Sequence, residues 1–282
     1  MFDVVVIGAG PAGLQAAQTL GRMHRPTLLL DSGSYRNAPV DAVHNVLTAD
    51  GRPPARLREL ARQELRAYRD VQVSDTAALV VDRHGGDGFS VRLADGSSAP
   101  TRAVLLATGL RDLLPDVPGM AEQWGRTVFM CPFCHGHELH GRRVVVEENP
   151  AARDLVAMFE PIARSVDVVP TVTALAKRPD GLHVSSGRST VVVDGLFVHV
   201  EAEQAAPFAA QLGLEMRDTG CIAVDSHGRT SVPGIFAAGD LAQADDMTAP
   251  VHSVLAAAYA GQLAATSALQ HVLHRRDVRV TS

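Results

Sequence analysis

Between the apolar run Phe2–Ile7 and an Ala/Leu-rich stretch over residues 12–23, the chain carries Gly8-Ala9-Gly10-Pro11-Ala12-Gly13, a G-x-G-x-x-G turn joining a predicted strand to a predicted helix. Each glycine has a physical task. Gly8 permits the tight turn, Gly10 lets a pyrophosphate approach the backbone, and Gly13 lets helix and strand pack closely. The helix opening at Pro11 and Ala12 offers amide N–H groups and the positive end of its dipole to that anion. A second strand, Thr27–Leu30, ends at Asp31, whose carboxylate can accept hydrogen bonds from ribose hydroxyls. Strand, turn, helix and acid in register call for an α/β dinucleotide-binding fold.

At 282 residues there is room for two modest α/β units. Residues 53–68 read as an amphipathic helix, residues 71–93 as strands broken by a turn at 85–88, and residues 103–107 as a strand before Thr108-Gly109. Pro115, Pro118 and Gly119 then punctuate the chain. A second unit comes next, with a strand at 144–146, a helix at 151–163 and strands at 166–169 and 191–200. From Glu203 the signals change again, ending in strand Ile235–Ala237 and an Ala-rich helix over 250–271.

The net charge of −5 is spread along the chain, so no basic surface is on offer to nucleic acid. No apolar run approaches the roughly 18 residues of a membrane span, and no basic, signal-like segment follows Met1, so neither a membrane partner nor secretion is expected and the location expected is the cytoplasm. Three cysteines cannot build a disulfide framework. Two of them form Cys-x-x-Cys, which in a cytosolic setting means redox or metal chemistry.

That stretch reads Cys131-Pro132-Phe133-Cys134-His135-Gly136-His137-Glu138. A Cys-x-x-Cys near a helix start can stabilise the thiolate that disulfide exchange requires. Zinc is the competing reading, since Cys131, Cys134, His137 and His140 recur every three residues. One short segment seldom wraps four tetrahedral positions, however, and no second Cys pair exists, so redox is favoured and no metal is expected. Cys221, among apolar neighbours, reads as a small buried residue, and His137 and His140 as surface groups.

Two more segments, Leu105-Leu106-Ala107-Thr108-Gly109 and Thr230 to Asp240 (TSVPGIFAAGD), complete a pattern that resembles the low-molecular-weight thioredoxin-reductase-type flavoproteins over essentially the whole chain. The resemblance implies a two-dinucleotide-binding-domain α/β flavoprotein: a discontinuous Rossmann-like FAD domain over 1–113 and 204–282, and an inserted NAD(P)H-type domain over 114–203 that carries the cysteines. It implies FAD as cofactor, with Thr108, Gly109, Gly239 and Asp240 beside it and Asp240 meeting the ribityl chain. Arg36, Asn37, Asn45 and Asp50-Gly51 fall where relatives place early flavin-domain contacts, and His44 and His252 fall near the same site. Relatives are homodimers, which sets that expectation here.

By the same resemblance Cys134 is the sulfur nearest the flavin and Cys131 the one that exchanges with substrate. Thioredoxin reductases commonly carry Asp after the second cysteine, whereas this chain has His135, with an ordinary pKa near ~6.5 suited to taking thiol protons. Cys-x-x-Cys-His-Gly-x-Glu resembles the gliotoxin- and holomycin-type dithiol oxidases. Glu138 would orient His135 or cap a helix.

The insert lacks its own phosphate-binding turn. Where a second glycine fingerprint should open, the chain reads Val146-Glu147-Glu148-Asn149-Pro150-Ala151, with no glycine and two carboxylates where a phosphate would sit. The expected activity is therefore an FAD-dependent oxidase that closes a disulfide in a small natural-product dithiol, with O2 reoxidising the flavin to give H2O2. The alternatives are a reductase of a thioredoxin-like protein fed by a non-nicotinamide donor, and a flavin-bound redox sensor.

Overall fold

The computed structural model describes residues 1–84 and 88–277. The chain begins β1 (Phe2–Ile7), α1 (Pro11–Arg22), β2 (Thr27–Leu30), α2 (Pro54–Leu65), β3 (Val71–Ser74), β4 (Ala78–His84), β5 (Gly88–Leu93) and β6 (Ser98–Leu106). It continues with β7 (Leu110–Leu113), α3 (Met120–Gln123), β8 (Val128–Phe129), α4 (Pro132–His135), β9 (Arg143–Glu147), α5 (Ala152–Phe159) and β10 (Ser165–Val169). Then come β11 (Val172–Arg178), β12 (Gly181–Ser186), β13 (Ser189–Val193), β14 (Gly195–Phe197) and β15 (Glu201–Gln204). The last are α6 (Phe208–Leu212), β16 (Ile222–Val224), β17 (Ile235–Ala237), β18 (Ala242–Ala244) and α7 (Val254–Asp277). The turn expected at 85–88 falls on residues outside those described, apart from Gly88.

Two compact units emerge: Met1–Arg36, Arg56–Arg111 and Glu203–Ser282 form one, Asn37–Ala55 and Asp112–Ala202 the other. The segment Asn37–Ala55 thus groups with the insert, although its place in the sequence predicts the flanking unit.

The first unit is built on a sheet of order β3-β2-β1-β6-β5-β4, with β17 also on β6. Strands β3, β2, β1, β6 and β17 run parallel, and the central ones carry unbroken buried apolar runs, Val4–Ile7 in β1, Leu28–Leu30 in β2, Ala103–Leu106 in β6 and Ile235–Ala237 in β17, whereas the edge strand β3 is half polar and only partly buried. β5 and β4 are antiparallel additions at one side. The register of the parallel strands sets where the loops meet. Ile7 stands opposite both Leu30 and Leu106, and Leu106 opposite Ala237, so Gly8, Asp31, Ala107 and Ala238 emerge together at the carboxyl ends of the strands. Crevices at such ends are where open α/β sheets bind ligands. Beneath, Val4, Val6, Leu20, Leu105 and Phe236 share one core with Ala264 and Ala268 of α7. A Cβ on Gly261 would lie 2.1 Å from the Ala12 carbonyl oxygen, so α7 crosses α1 at backbone-to-backbone distance.

The second unit holds an all-parallel sheet of order β10-β9-β14-β8 and an antiparallel sheet β11-β12-β13. The strand expected over 191–200 is two strands in two sheets. Asp194 makes the break: its carboxylate accepts the Arg143 amide N–H at 2.9 Å and pairs with the Arg143 guanidinium. Phe159, Phe197 and Phe129 pack in series under β9 and β14, with centroids 4.5 and 5.7 Å apart. α4 begins three residues after β8 ends, so the cysteine motif sits at the carboxyl end of a parallel strand. Among the described residues no helix is long and apolar enough to cross a membrane.

Candidate active site

In the first unit the glycine turn has the geometry its sequence implies. Gly8 adopts φ +109°, and a Cβ there would lie 2.3 Å from the Ala107 carbonyl oxygen; one on Gly13 would lie 1.8 Å from the Gly8 carbonyl oxygen. Neither position tolerates a side chain. Gly10, the residue capping α1, differs: nothing stands within 4 Å of where its Cβ would be. That open edge beside the first amides of α1, with Pro11 and Ala12 starting the helix, fits a pyrophosphate. Gly109 follows Thr108 at φ +70° with the same open surroundings.

Asp31 is buried, and its carboxylate already accepts hydrogen bonds from the Gly33 amide (2.9 Å), the Tyr35 hydroxyl (2.5 Å) and Arg62 (2.7 Å). It therefore fixes the 31–36 loop as well as facing the strand ends, and a ribose hydroxyl would have to share it. Burial, then the hydrogen bond to Asp31 and its charge, push the Tyr35 hydroxyl up to about 12. Arg58 lies over the Tyr35 ring, 3.8 Å from its centroid. Arg36 pairs with Asp240 at 2.9 Å, holding that carboxylate beside Gly239, whose φ of +89° brings it against Ala12. His252 sits partly buried in the loop before α7. Asn37 and Asn45 belong to the second unit; Asn45 takes the left-handed conformation (φ +56°), and its N–H donates to Asp50 Oδ1 at 2.6 Å.

In the second unit Cys131 and Cys134 are joined as a disulfide. The zinc reading therefore loses two of its four groups to each other, and His137 and His140 are exposed. Phe133, between the cysteines, is 71 % exposed, whereas Gly136 is packed so tightly that a Cβ would lie 2.6 Å from the Pro132 carbonyl oxygen. His135 is half-buried, its imidazole stacked on Phe129 with centroids 4.2 Å apart and planes 24° from parallel. Burial chiefly, and the charge of His44 secondarily, lower the His135 pKa below its ordinary value, with Glu138 pulling the other way. Such an imidazole is neutral at neutral pH, the form a proton acceptor needs. Glu138 faces His44, with Oε1 3.5 Å from Nδ1, rather than capping a helix. Cys221, in the other unit, is buried with its thiol 3.6 Å from the Asp240 carbonyl oxygen, and burial raises its pKa.

Sequence reasoning missed Phe129, Tyr35 and Arg62, which carry no motif, and it missed what Asn149 does. The Asn149 side-chain oxygen accepts the Ala151 N–H at 2.9 Å, its side-chain amide donates to the Glu147 carbonyl at 2.7 Å, and its own carbonyl accepts the Ala152 N–H. Pro150 has no N–H. Asn149 thus takes the Ala151 and Ala152 amides at the start of α5, two donors no longer open to a phosphate. Glu147 is turned away, accepting the Val172 N–H at 2.7 Å, so of the two acids Glu147 supports the adjacent strand.

A sequence model of the pyridine nucleotide-disulphide oxidoreductase family matches residues 2–147 and 162–264, passing over the stretch that contains Asn149 and α5. Thioredoxin reductase sirT of Leptosphaeria maculans is 31% identical, the match covering 86% of this chain and 87% of that protein. Thioredoxin reductase aclD of Aspergillus oryzae is 30% identical over 86% of this chain and 90% of its own. Among solved structures, that of HlmI superposes with a TM-score of 0.85 at 34% identity, covering 99% of this chain and 95% of HlmI. The putative thioredoxin reductase TrxB of Bacillus anthracis gives 0.89 at 25% identity, over 98% and 100%.

Proposed function

Because the chain belongs to the pyridine nucleotide-disulphide oxidoreductase family, and is thus a flavin-dependent oxidoreductase acting on thiols and disulfides, we propose that it is an FAD-dependent oxidase of small-molecule dithiols. The observation that carries this reading is a pairing: a formed Cys131–Cys134 disulfide followed by a half-buried His135 stacked on Phe129, in a unit where Asn149 takes two amides at the start of α5. The likeness to the thioredoxin reductases sirT and aclD supports thiol/disulfide chemistry, and the open Gly10 edge supports a dinucleotide pyrophosphate at the glycine turn.

A substrate thiolate attacks Cys131 Sγ, breaking the Cys131–Cys134 bond and forming a mixed disulfide. The second substrate thiolate attacks the substrate sulfur of that bond, closing the product disulfide and displacing Cys131. The electron pair now rests on the two cysteines, with Cys134 as thiolate, and His135 has taken a substrate proton. With FAD held at the glycine turn, the flavin would supply a two-electron acceptor for that pair and a route from it to O2, the two electrons and the two substrate protons leaving as H2O2. Stacking on Phe129 restrains the ring plane of His135. We further propose a cytoplasmic homodimer. With air present and dithiothreitol as the probe, oxygen uptake and peroxide release in equal amounts support the oxidase; flavin turnover that proceeds only with an added electron-transfer protein favours the reductase alternative.

A further inference from the structure

His135 follows Cys134 directly in the chain and lines a cavity of about 340 Å³ whose walls also include His44, Phe129, Glu138 and Leu139, and neither Cys131 nor Cys134 lines it. His44 is tucked in, its side chain 18% exposed, with Nδ1 3.5 Å from Glu138 Oε1 and 3.5 Å from Asp50 Oδ2. Its ring meets that of His135 edge to face, centroids 6.3 Å apart. Two half-buried imidazoles thus share this cavity region with two more exposed carboxylates, one 42% and one 66% exposed.

We propose that His44 is a relay residue that carries the proton taken up by His135 across this cavity to Glu138 and Asp50, and so to solvent. The proposal rests on the dithiol oxidase reading and deepens it. In the reductive half-reaction, when R(SH)2 and the Cys131–Cys134 disulfide become the substrate disulfide, a Cys131 thiol and a Cys134 thiolate, one proton is left on His135; solvent takes it up through the relay and returns it when O2 is reduced to H2O2, so the whole cycle balances. Until that proton leaves, His135 cannot act again. His135 is half-buried and stacked on Phe129, and the His44 ring beside it has carboxylates of Glu138 and Asp50 3.5 Å from its Nδ1. The Asn45 amide and then His44 hold the Asp50 carboxyl below its usual range, which keeps it charged and the far end of the path anionic. The remaining charged groups around the cavity are Asp41, Arg126, Arg142 and Asp194, the last already paired with Arg143. An imidazole passes a proton by donating from one ring nitrogen and accepting at the other, which Gln cannot do.

The test uses holoenzyme and two readouts. In anaerobic stopped-flow with dithiothreitol, His44→Gln is expected to slow flavin reduction by about 10²-fold, to move the acid limb of the rate to higher pH, and to regain rate on adding free imidazole. Glu138→Gln should show the same signs more weakly, since Asp50 remains. Independently of any dithiol, imidazole NMR titration of the oxidised protein should show His44 and His135 titrating as a coupled pair, with His135 titrating higher in His44→Gln because a neighbouring positive charge is gone. Uncoupled titrations, or a slowed variant with an unchanged pH profile and no imidazole rescue, would overturn the relay. Coupled titrations in a protein that dithiothreitol never reduces would instead sink the oxidase reading and leave the paired imidazoles standing.

Discussion

The side-chain oxygen of Asn149 accepts the amide N–H of Ala151 at 2.9 Å, at the helix start where a family member that used a nicotinamide donor would hold phosphate. Occupied amides and a missing glycine act in the same direction. Replacing Asn149 with Ala should remove this local cap and cost about 1 kcal/mol, read as a lower urea midpoint at unchanged slope. It should not create NADPH-driven flavin reduction, because Pro150 still lacks an N–H and Glu148 still carries its charge.

Gly13→Ala should strip the flavin. A Cβ 1.8 Å from the Gly8 carbonyl forces α1 away from the strand end, and the yellow absorbance per mole of purified protein should fall well below that of the unaltered chain. Gly10→Ala meets no protein atom, so the fold should survive while flavin affinity drops; equal thermal stability of the Gly10→Ala and unaltered apoproteins checks the distinction.

Cys134→Ser should abolish flavin reduction by dithiothreitol, because the exchange ends on a sulfur that is no longer there. Bound flavin should be retained, as Cys134 lies in the unit that lacks the glycine turn. The absorbance spectrum before and after anaerobic dithiol addition separates the two effects.

The rate of dithiol-driven reduction should rise with pH through the titration of His135. Burial lowers that pKa, so the neutral base is already present below the ordinary imidazole value and the acid limb should lie below about 6.5. His135→Ala should lose the limb and about 10²–10⁴-fold in rate. A pH–rate profile of both proteins checks it.

Much of the fold and the site is legible in the residues. The central parallel strands show as unbroken apolar runs, the glycine turn by its spacing, and the redox pair by adjacency, because each is a local pattern. The break at Asp194 is not, since the carboxylate acts by bonding Arg143, fifty-one positions away. Likewise the grouping of Asn37–Ala55 with the insert depends on contacts such as Val40 and Pro39 against Gly125, and that of His44 with Glu138 on the same fold. Glu147, in the sequence a charge that repels phosphate, serves in the fold as an acceptor for a neighbouring strand; Asn149, which no motif flags, does more of the blocking.

The central claim is that electrons enter from a dithiol and not from a nicotinamide. Holoenzyme mixed without oxygen in a stopped-flow cell, once with dithiothreitol and once with NADPH, addresses it most directly. The visible flavin band is expected to bleach with the dithiol, to return when air is admitted with one H2O2 formed per flavin, and to stay unchanged with NADPH. Rapid bleaching by NADPH, with none by the dithiol, would contradict it.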